Sequence, residues 1–485
     1  MSRVHLQHVN SVYIRVVTEP GILREISDNF TYFAHNYKFH PKFKMRVWDG
    51  KIRLINNLTG TVYAGLAQQI KKFCDEREYE VTFDDELTYD NVSLNELQEF
   101  IRGLNLPADK TEREYQVQSV LKCLRSKRRT LLSPTSSGKS LMIYMIGQWY
   151  KKKTLIIVPT TGLVNQMASD FISYGFSGVI NKSTEGLDAS NDIPADVVIT
   201  TWQSLDNGRT KMPKAWYKQF EVVFGDEAHG CKATTLVSIL TKLENCKYRF
   251  GTTGTLDGEP LNEATIEGLF GAKYKATTTK ELMDQGYVSK LKIKCIVLKY
   301  PEEVAKMVKG KTYQEEVDFL INNQERNKFI KNLALSLKGN KLIFFRIITH
   351  GQALHDLMKD TGHNIFYIAG DVKGDIREEI RHAIEDEENA TLIASLGTTS
   401  TGISINRLHH MIAAHPSKSK IKVLQSIGRM LRMHDEKTEA VLYDIVDDLS
   451  HKSHKNYTLK HFLERVKIYD AEKFDYKFYN VKLRS

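Results

Sequence analysis

The sequence predicts an α/β protein with two parallel-sheet domains in tandem, a small α+β domain before them and a short helical tail after them. From about residue 100, short β-branched apolar runs alternate with helix-like stretches. Such runs are typical of strands buried on both faces of a parallel sheet. They fall into two series on either side of the polar segment 280–292. The runs are Thr154–Val158, Val197–Thr200 and Val222–Phe224 in the first series and Lys341–Phe345, Thr391–Ala394 and Met411–Ala414 in the second.

The domain boundaries follow from where these patterns change. The first ~95 residues carry short, mixed elements, and the last ~35 are rich in Lys, Tyr and His. A length of 485 residues suggests about three domains and a tail. We therefore expect a small α+β domain over residues 1–95, two parallel-sheet domains over 96–285 and 286–450, and a helical tail over 451–485.

Composition limits the class of protein and its compartment. With 41% hydrophobic and 26% charged residues, the chain is neither disordered nor collagen-like. Its first residues lack a charged stretch followed by an apolar one, so we expect no secretory signal, and no apolar run approaches the ~18 residues of a membrane span. Its five cysteines are scattered outside any CxxC pair, which suits a reducing compartment. We expect a cytoplasmic protein without a membrane partner, whose net charge of +10 points weakly to a polyanion.

Residues 133–140 read Ser-Pro-Thr-Ser-Ser-Gly-Lys-Ser, between a predicted strand and a predicted helix. Gly138 allows close approach of the backbone to phosphates, and Lys139 reaches the β- and γ-phosphates of ATP. Ser140 offers its hydroxyl to Mg²⁺, while the helix N-terminus adds its dipole. The general pattern opens on glycine, where this chain has Ser133. The predicted phosphate-binding residues are Ser133, Pro134, Thr135, Ser136, Ser137, Gly138, Lys139 and Ser140.

Two adjacent acids, Asp226 and Glu227, follow the apolar run Val222–Phe224. A carboxylate at the end of a strand can hold Mg²⁺, and its neighbour can orient and deprotonate the attacking water. We assign Asp226 to the metal and Glu227 to the water. Such a pair alone is usually a solvated turn, but after a phosphate loop it predicts ATP hydrolysis.

Asp-Glu-Ala-His at residues 226–229, with the phosphate loop, resembles superfamily 2 helicases. Further motifs of that superfamily follow in order in the first motor domain. The resemblance implies that Tyr115 and Gln116 contact adenine, and that Thr160 and Gln203 contact the nucleic-acid backbone. It also implies that Thr253 and Thr255 couple hydrolysis to that contact.

The second motor domain carries the remaining motifs. The segment 398–403 implies a backbone contact by Thr398 and coupling by Thr401 and Gly402. Ser404 departs from the motif, since many relatives carry an acidic residue at this position. Gln425-Ser-Ile-Gly-Arg-Met-Leu-Arg432 resembles the sixth motif, which implies catalytic roles for Gln425, Arg429 and Arg432. The two arginines would stabilise charge on the γ-phosphoryl group.

The flanking segments resemble, within that superfamily, the UvsW family of recombination and repair helicases of T-even bacteriophages. This resemblance implies two RecA-like domains, ATP and Mg²⁺ as cofactors, and a phage protein in the bacterial cytoplasm. It also implies 3′-to-5′ translocation, unwinding of forks, D-loops and R-loops, and branch migration of Holliday junctions. We expect a monomer on branched or duplex DNA, including RNA–DNA hybrids, with single-strand-binding or recombination proteins as partners. The segments are Pro41–Leu54, Lys309–Glu316, His409–His410 and Lys418–Leu431.

Asp49-Gly50 predicts a two-residue hairpin turn between alternating runs. That register would pair Trp48 with Lys51 and Arg46 with Arg53. One face would then be core, formed by Phe43, Met45, Val47, Ile52 and Leu54. The other face would bind DNA through phosphate contacts and stacking, with Lys44, Arg46, Trp48 and Arg53 as the predicted contacts. The alternative is a solvated face on which Trp48 packs against aliphatic stems.

Three other functions stay open from the sequence. The chain could be an RNA helicase or RNA-remodelling ATPase, because the motor motifs occur in proteins that move on DNA and in proteins that move on RNA. The basic N-terminal segment favours DNA. It could be a non-catalytic DNA-annealing scaffold, although the presence of Lys139, Glu227 and Arg429 argues against this. It could also be the motor subunit of a restriction complex. The basic runs Arg125–Arg129 and Lys151–Lys153 are expected to be solvated.

Overall fold

A computed structural model of the chain describes residues 2–183, 193–206, 211–370, 374–395, 405, 407–415, 420–431 and 437–483. The chain divides into two compact units, Met1–Ser133 with Gly138–Ala276 and Pro134–Ser137 with Thr277–Ser485. Within the described ranges, no helix combines the length and apolar character needed to cross a membrane. The four-part division predicted from sequence remains a prediction.

The first ~95 residues form a small mixed sheet covered by helices. Its strands run in the order β5-β2-β1-β6, with β6 parallel to β1 and the other pairs antiparallel, while β3 and β4 form a separate antiparallel pair. Val4, Leu6, Ile14 and Val16 alternate along β1 and β2 and are buried beneath the helices. The elements are β1 Arg3–His8, β2 Tyr13–Val17, α1 Pro20–Asn29, β3 Thr31–Phe33, α2 Pro41–Lys44, β4 Lys51–Arg53, β5 Thr61–Tyr63, α3 Ala67–Asp75, β6 Glu80–Phe83 and α4 Leu94–Gly103.

The predicted hairpin around Asp49-Gly50 is wrong. Residues 41–44 instead form the short helix α2, which begins at Pro41 and ends in a Schellman cap. In that cap the Val47 N–H donates to the Lys42 carbonyl at 3.1 Å, and the Arg46 N–H donates to the Phe43 carbonyl at 3.0 Å. Arg46 adopts the left-handed conformation with φ 57°. The strand after the turn, β4, pairs with β3.

The predicted core face of the hairpin is wrong as well. Met45 is 65% exposed, Val47 70% and Ile52 38%, whereas Phe43 and Leu54 are half-buried. We call residues 31–54 the basic lobe, because they hold six Lys and Arg residues and one Asp.

The first motor sheet has seven strands in the order β13-β7-β12-β11-β8-β10-β9, and every pair in it is parallel. All residues of β8 and β10 are buried, as their apolar runs predict. The elements are α5 Glu114–Ser126, β7 Arg128–Leu132, α6 Lys139–Tyr150, β8 Thr154–Val158, α7 Thr161–Ser173, β9 Ile180–Ser183, β10 Val197–Thr201, α8 Trp202–Leu205, α9 Lys214–Tyr217, β11 Val222–Asp226, α10 Thr234–Thr241, β12 Tyr248–Thr253, α11 Pro260–Phe270 and β13 Lys273–Lys275.

The second motor sheet also has seven parallel strands, in the order β16-β17-β15-β18-β19-β14-β20. The two tandem parallel-sheet domains predicted from the sequence are thus confirmed. The elements are α12 Thr279–Asp284, β14 Lys290–Lys299, α13 Glu302–Val308, α14 Tyr313–Asn322, α15 Gln324–Ser336, β15 Asn340–Phe345, α16 Ile348–Met358, β16 Ile365–Ile368, α17 Gly374–Asp386, β17 Thr391–Ser395, β18 Leu408–Ala413, α18 Lys420–Met430, β19 Glu439–Asp448, α19 Tyr457–Ala471 and β20 Asp475–Lys482.

The C-terminal segment differs in part from the predicted helical tail. It contains the helix α19, but the chain then forms β20, which pairs with β14 at the edge of the second sheet. Tyr, Phe and Val side chains in β20 favour a strand when a neighbouring strand is available for pairing. The tail is therefore part of the second sheet.

The basic run Arg125–Arg129 is not simply solvated. The Arg125 Nε donates to the Val92 carbonyl at 2.8 Å, and the Arg128 Nη2 donates to the Ser11 carbonyl at 3.2 Å. Lys127 lies 2.8 Å from the carboxylate of Asp90. These side chains therefore tie the first motor sheet to the segments before it.

A close backbone contact joins the small N-terminal domain to helix α11 of the first motor domain. A Cβ atom on Gly65 would lie 2.1 Å from the Glu267 carbonyl oxygen and 2.6 Å from that of Gly268. We expect Gly65→Ala to cost about 1–3 kcal/mol of unfolding free energy, because backbone atoms must move apart. Gly21→Ala is the matched control, since its Cβ would meet nothing within 4 Å. Urea unfolding in which both variants behave alike would contradict this packing.

Candidate ATP-hydrolysis site

The predicted site residues of the first motor domain meet at one edge of its sheet. Strands β7, β12 and β11 are neighbours, with Thr253 beside Leu132 and Asp226 beside Thr252. Because all three strands are parallel, the loops at their carboxyl ends lie at the same edge, where α/β sheets bind ligands.

The phosphate loop has the backbone that its sequence predicts. Gly138 has φ 73°, and a Cβ atom there would lie 2.3 Å from the Gln116 Nε2. Glycine is therefore favoured by the backbone conformation, and a Cβ atom there would also displace the Gln116 side chain. The Ser133 N–H donates to the Thr253 carbonyl at 2.8 Å, which fixes the start of the loop. Ser136 is left-handed with φ 67°, and the Ser137 hydroxyl donates to the Pro134 carbonyl at 2.6 Å.

Lys139, the first residue of α6, lies between the phosphate loop and the acidic pair. Its Nζ donates to the Ser133 carbonyl at 3.4 Å and lies 3.9 Å from the Glu227 Oε1. Both side chains are largely buried, at 14% and 20% exposure. The structure thus brings together a phosphate-binding cation and a candidate base that are far apart in the sequence.

Asp226 is the last residue of β11, and its Oδ1 accepts a hydrogen bond from the Thr252 hydroxyl at 2.6 Å. Burial raises the pKa of this carboxyl group above its ordinary value, and the adjacent Glu227 charge raises it further. Both effects disfavour the carboxylate until a cation is bound nearby. Thr252 was not found from sequence, because its contact depends on the pairing of β11 with β12.

We expect Asp226→Asn to raise the melting temperature of the nucleotide-free protein near neutral pH. The pKa of Asp226 is higher in the folded state than its ordinary value of 3.8, so its ionisation destabilises the folded protein. This destabilisation is complete at a pH above the folded-state pKa, and it disappears as the pH falls toward 3.8. Thermal unfolding between pH 5 and 8 should show a gain that shrinks as the pH falls. Asp85→Asn, at an exposed position, is the control. A gain independent of pH, or a lower melting temperature, would contradict the buried-charge argument.

Glu227 is held in a strained geometry. Its φ is 52°, a left-handed conformation that costs energy for a residue with a Cβ atom. Its Oε2 lies 3.2 Å from the His229 Nδ1, and that nitrogen lies 3.0 Å from the Thr253 hydroxyl. The Thr253 hydroxyl also donates to the Thr255 carbonyl at 3.1 Å. His229 therefore lies between the acidic pair and the predicted coupling residues. It is part of the Asp-Glu-Ala-His motif, but no role for it was predicted from the sequence.

Ser140 is oriented by a residue that the sequence did not indicate. Its hydroxyl lies 2.9 Å from the Tyr174 hydroxyl, which follows α7 and is buried. Whichever of the two hydroxyl groups donates, the serine oxygen keeps at least one lone pair for a cation. The oxygen donors of Ser140 and Asp226 suit Mg²⁺, which usually takes one or two carboxylates together with substrate phosphates. The described residues hold no group of three or more His, Cys, Asp or Glu side chains that could bind a metal ion.

Gln116, predicted to contact adenine, packs against the phosphate loop. It is 2% exposed, its Oε1 accepts from the Arg113 N–H at 2.8 Å, and its Nε2 donates to the Gly138 carbonyl at 3.5 Å. The Tyr115 hydroxyl accepts from the Arg113 Nη1 at 3.0 Å. The adenine contact of Tyr115 and Gln116 stays a prediction.

Two predicted nucleic-acid contacts lie at the same edge of the sheet. Thr160 precedes α7 after β8, and Gln203 is exposed in α8 after β10. Strands β8 and β10 are parallel neighbours, so these residues end adjacent strands. The Thr201 hydroxyl accepts from the Ser204 N–H at 3.2 Å and so caps α8 beside Gln203.

The predicted residues of the second motor domain are described in part. Gln425 is half-buried in α18, which also contains the backbone of Arg429. The side chain of Arg429 lies outside the described residues. Thr398, Thr401, Gly402 and Arg432 also lie outside them. The roles of all six residues stay predictions.

The fold and the site together define a helicase-type ATPase of superfamily 2, with two RecA-like domains. Over 97% of its length the chain is 37% identical to the ATP-dependent DNA helicase uvsW of Enterobacteria phage T4, and the match covers 98% of that protein. The chain belongs to the UvsW family of ATP-dependent DNA helicases.

Other comparisons agree with this assignment. Residues 3–84 match the family described as DNA helicase UvsW, N-terminal. Residues 109–258 match Type III restriction enzyme, res subunit, and residues 325–434 match Helicase conserved C-terminal domain. The crystal structure of T4 UvsW covers 99% of this chain and all of its own, at 35% identity and a TM-score of 0.50. The DNA 3′-5′ translocase XPB2 of Sulfurisphaera tokodaii is 24% identical over 70% of this chain and 82% of its own length.

Proposed function

We propose that this helicase translocates 3′ to 5′ along DNA and acts on branched structures in recombination and repair. Its substrates would be forks, D-loops, R-loops and Holliday junctions, on which it unwinds strands or migrates branches. The observation that carries the proposal is the cluster in which Lys139, Glu227 and Thr253 meet at one sheet edge. The relatives named as a DNA helicase and as a DNA 3′-5′ translocase support the substrate and the direction.

Hydrolysis would use residues of the first motor domain. The phosphate loop and Lys139 would bind the β- and γ-phosphates, and Ser140 and Asp226 would hold Mg²⁺, which neutralises charge on the phosphate oxygens. Glu227 would orient the attacking water and take its proton. His229, whose Nδ1 lies 3.2 Å from the Glu227 Oε2, would help to orient that carboxylate. Tyr115 and Gln116 would contact the adenine.

Coupling to DNA would pass through the hydrogen-bonded residues next to the site. His229 links Glu227 to Thr253, so a change at the γ-phosphate can alter the loop that contains Thr255. We assign Thr401 and Gly402 the matching role in the second domain, and Gln425, Arg429 and Arg432 to stabilisation of γ-phosphoryl charge. Thr160, Gln203 and Thr398 would contact the DNA backbone, which makes the motor indifferent to base sequence.

The basic lobe would supply further DNA contacts, and the exposure and pairing of its side chains favour some residues over others for this role. Lys44 and Arg46 are exposed, whereas Arg53 donates to Asp49 at 2.6 Å, so a phosphate must compete with that carboxylate. Trp48 is half-buried, with its Nε1 donating to the Lys51 carbonyl at 3.0 Å. Lys44 and Arg46 are therefore the better phosphate contacts.

The wider context of the proposal follows the family. We propose that the protein works as a monomer in the cytoplasm of an infected bacterium. Single-strand-binding or recombination proteins are the partners that this role implies. R-loops add RNA–DNA hybrids to its DNA substrates.

Strand displacement on DNA of defined polarity tests the proposal. Substrates are duplexes with a 3′ or a 5′ single-stranded tail, a four-way junction and an R-loop, with Glu227→Gln as the inactive control. We expect ATP-dependent unwinding of the 3′-tailed duplex, resolution of the junction and release of RNA from the R-loop. Unwinding from the 5′ tail instead would overturn the polarity. Activity on simple duplexes without any on junctions would overturn the branched-DNA substrate.

A further inference from the structure

The basic lobe exposes an unusual amount of apolar surface. Of the 20 large apolar side chains that are exposed in the described part of the chain, five lie within the 24 residues of this lobe. Concentrated apolar exposure marks an interaction surface, whereas scattered apolar residues do not. The five are Phe33 at 54% exposure, Phe39 at 74%, Met45 at 65%, Val47 at 70% and Ile52 at 38%.

This exposure is fixed by the packing of the lobe. The Tyr37 ring lies 4.5 Å from the Phe33 ring and 4.9 Å from the Phe43 ring, centroid to centroid. The Tyr37 ring covers Gly50, where a Cβ atom would lie 2.4 Å from its Cδ2. Arg46 has a left-handed backbone at the end of α2, so the chain turns there. Its neighbours Met45 and Val47 therefore lie outside this small core.

The same lobe is strongly positive. Lys38, Lys42, Lys44, Arg46 and Lys51 are all exposed. The one acid, Asp49, is already paired with Arg53. A ligand for this surface therefore needs both negative charge and apolar faces.

We propose that the basic lobe binds DNA at points where bases are unpaired, with its cations on the phosphates and Phe39, Met45 and Val47 against exposed base faces. Duplex DNA offers phosphates, but its base faces are stacked inside and would leave these apolar side chains in water. Unpaired bases offer both, and in proteins that bind single strands or flipped bases they stack on aromatic and apolar side chains. Four of the six exposed cations are lysines, which are depleted in protein–protein interfaces, so a protein ligand fits this surface less well. The inference rests on the proposed function and adds recognition of the branch point.

Two sets of substitutions separate base contact from charge. The apolar variant is Phe39→Ser/Met45→Ser/Val47→Ser, which keeps every cation, and the charge variant is Lys38→Gln/Lys42→Gln/Lys44→Gln, which keeps every apolar side chain. All six positions are exposed, so folding is not at risk. Met307→Ser, at a 58% exposed methionine of the second unit, is the matched apolar control.

Arg46→Gly removes a charge without backbone cost. Glycine adopts the φ of 57° found at Arg46 more readily than arginine does, so this variant should fold at least as well as the wild type. A weaker DNA affinity in Arg46→Gly can therefore be assigned to the lost cation.

The readout is fluorescence anisotropy with a blunt duplex, a single strand and a fork, each titrated at several salt concentrations, together with 2-aminopurine placed at the fork. The apolar variant should lose about fivefold or more in affinity for the single strand and the fork, with unchanged duplex affinity and unchanged salt slope. Its 2-aminopurine signal should no longer change on binding. The charge variant should weaken all three and lower the salt slope by up to about 3.

The outcomes distinguish this inference from the proposed function. If the wild type binds the fork and the apolar variant binds it equally well, the inference is wrong and the surface is left to a protein partner. Equal losses on duplex and fork by the apolar variant would also overturn it, because base contact would not be specific. Failure of the wild type to bind any DNA would instead contradict the proposed function.

Discussion

Glu227→Gln is expected to lower DNA-stimulated ATP turnover by about 10²–10⁴-fold, the range typical of a lost general base. Glutamine has nearly the shape of glutamate but cannot take the proton of the attacking water. The carboxylate lies 3.9 Å from the Lys139 Nζ, so its loss leaves that cation free for the phosphates. ATP affinity should therefore stay the same or increase. Single-turnover hydrolysis and nucleotide titration measure the two quantities separately.

The matched control for this prediction is Glu259→Gln. Glu259 is exposed and lies directly before α11 in the same unit, so its change should leave turnover unchanged. If Glu227→Gln keeps more than about a tenth of wild-type turnover, Glu227 is not the base. A parallel loss of ATP affinity would show that the residue acts in binding instead.

Arg326→Ala is expected to destabilise the second unit by about 3–5 kcal/mol, the cost of breaking a buried ion pair. Arg326 is 1% exposed and its partner Asp447 is 0% exposed. The Nε donates to Asp447 Oδ1 at 2.8 Å, and the Nη2 donates to Oδ2 at 3.0 Å and to the Ala414 carbonyl at 2.7 Å. Alanine would leave the Asp447 carboxylate buried without its counter-charge.

Tryptophan fluorescence can show whether Arg326→Ala destabilises the second unit alone. All four, at positions 48, 149, 202 and 216, lie in the first unit, so their fluorescence reports its unfolding. Far-ultraviolet circular dichroism reports both units. In urea, Arg326→Ala should lose part of its dichroism at lower concentration, while the fluorescence midpoint changes little.

A compensated variant is the control for Arg326→Ala. Arg326→Met/Asp447→Asn removes both charges and keeps an acceptor for the Tyr300 hydroxyl, which lies 2.8 Å from Asp447 Oδ1. It should recover at least half of the lost stability. A loss below about 1 kcal/mol in the single variant would show that the pair contributes little.

The features that the sequence predicted correctly are those set by local patterns. Runs such as Thr154–Val158 are apolar at every position, and a strand buried on both faces of a parallel sheet requires this. Gly138 and Lys139 are adjacent in one motif, and Asp226 follows an apolar run, so predicting their roles needs no knowledge of the rest of the fold. Those roles stay predictions.

The sequence predictions that are wrong or incomplete concern places where contacts between distant segments determine the structure. The alternation in residues 43–54 favours a strand, but residues 41–44 form a helical turn that begins at Pro41 and ends in a Schellman cap. Strand β4 therefore pairs with β3 and not with residues 43–48. β20 became a strand because β14 was available for pairing. Thr252 and Tyr174 reach Asp226 and Ser140 through strand register and helix packing, which leave no mark in the local sequence.

The most direct test of the account is the steady-state ATPase rate of the wild type and of Glu227→Gln at one fixed salt concentration. The rates are measured without nucleic acid and with single-stranded DNA, duplex DNA, a four-way junction and matched RNA. The account predicts strong stimulation of the wild type by DNA, greatest with the junction, and almost no turnover by the variant. Stimulation by RNA alone, or equal rates for the wild type and the variant, would contradict it.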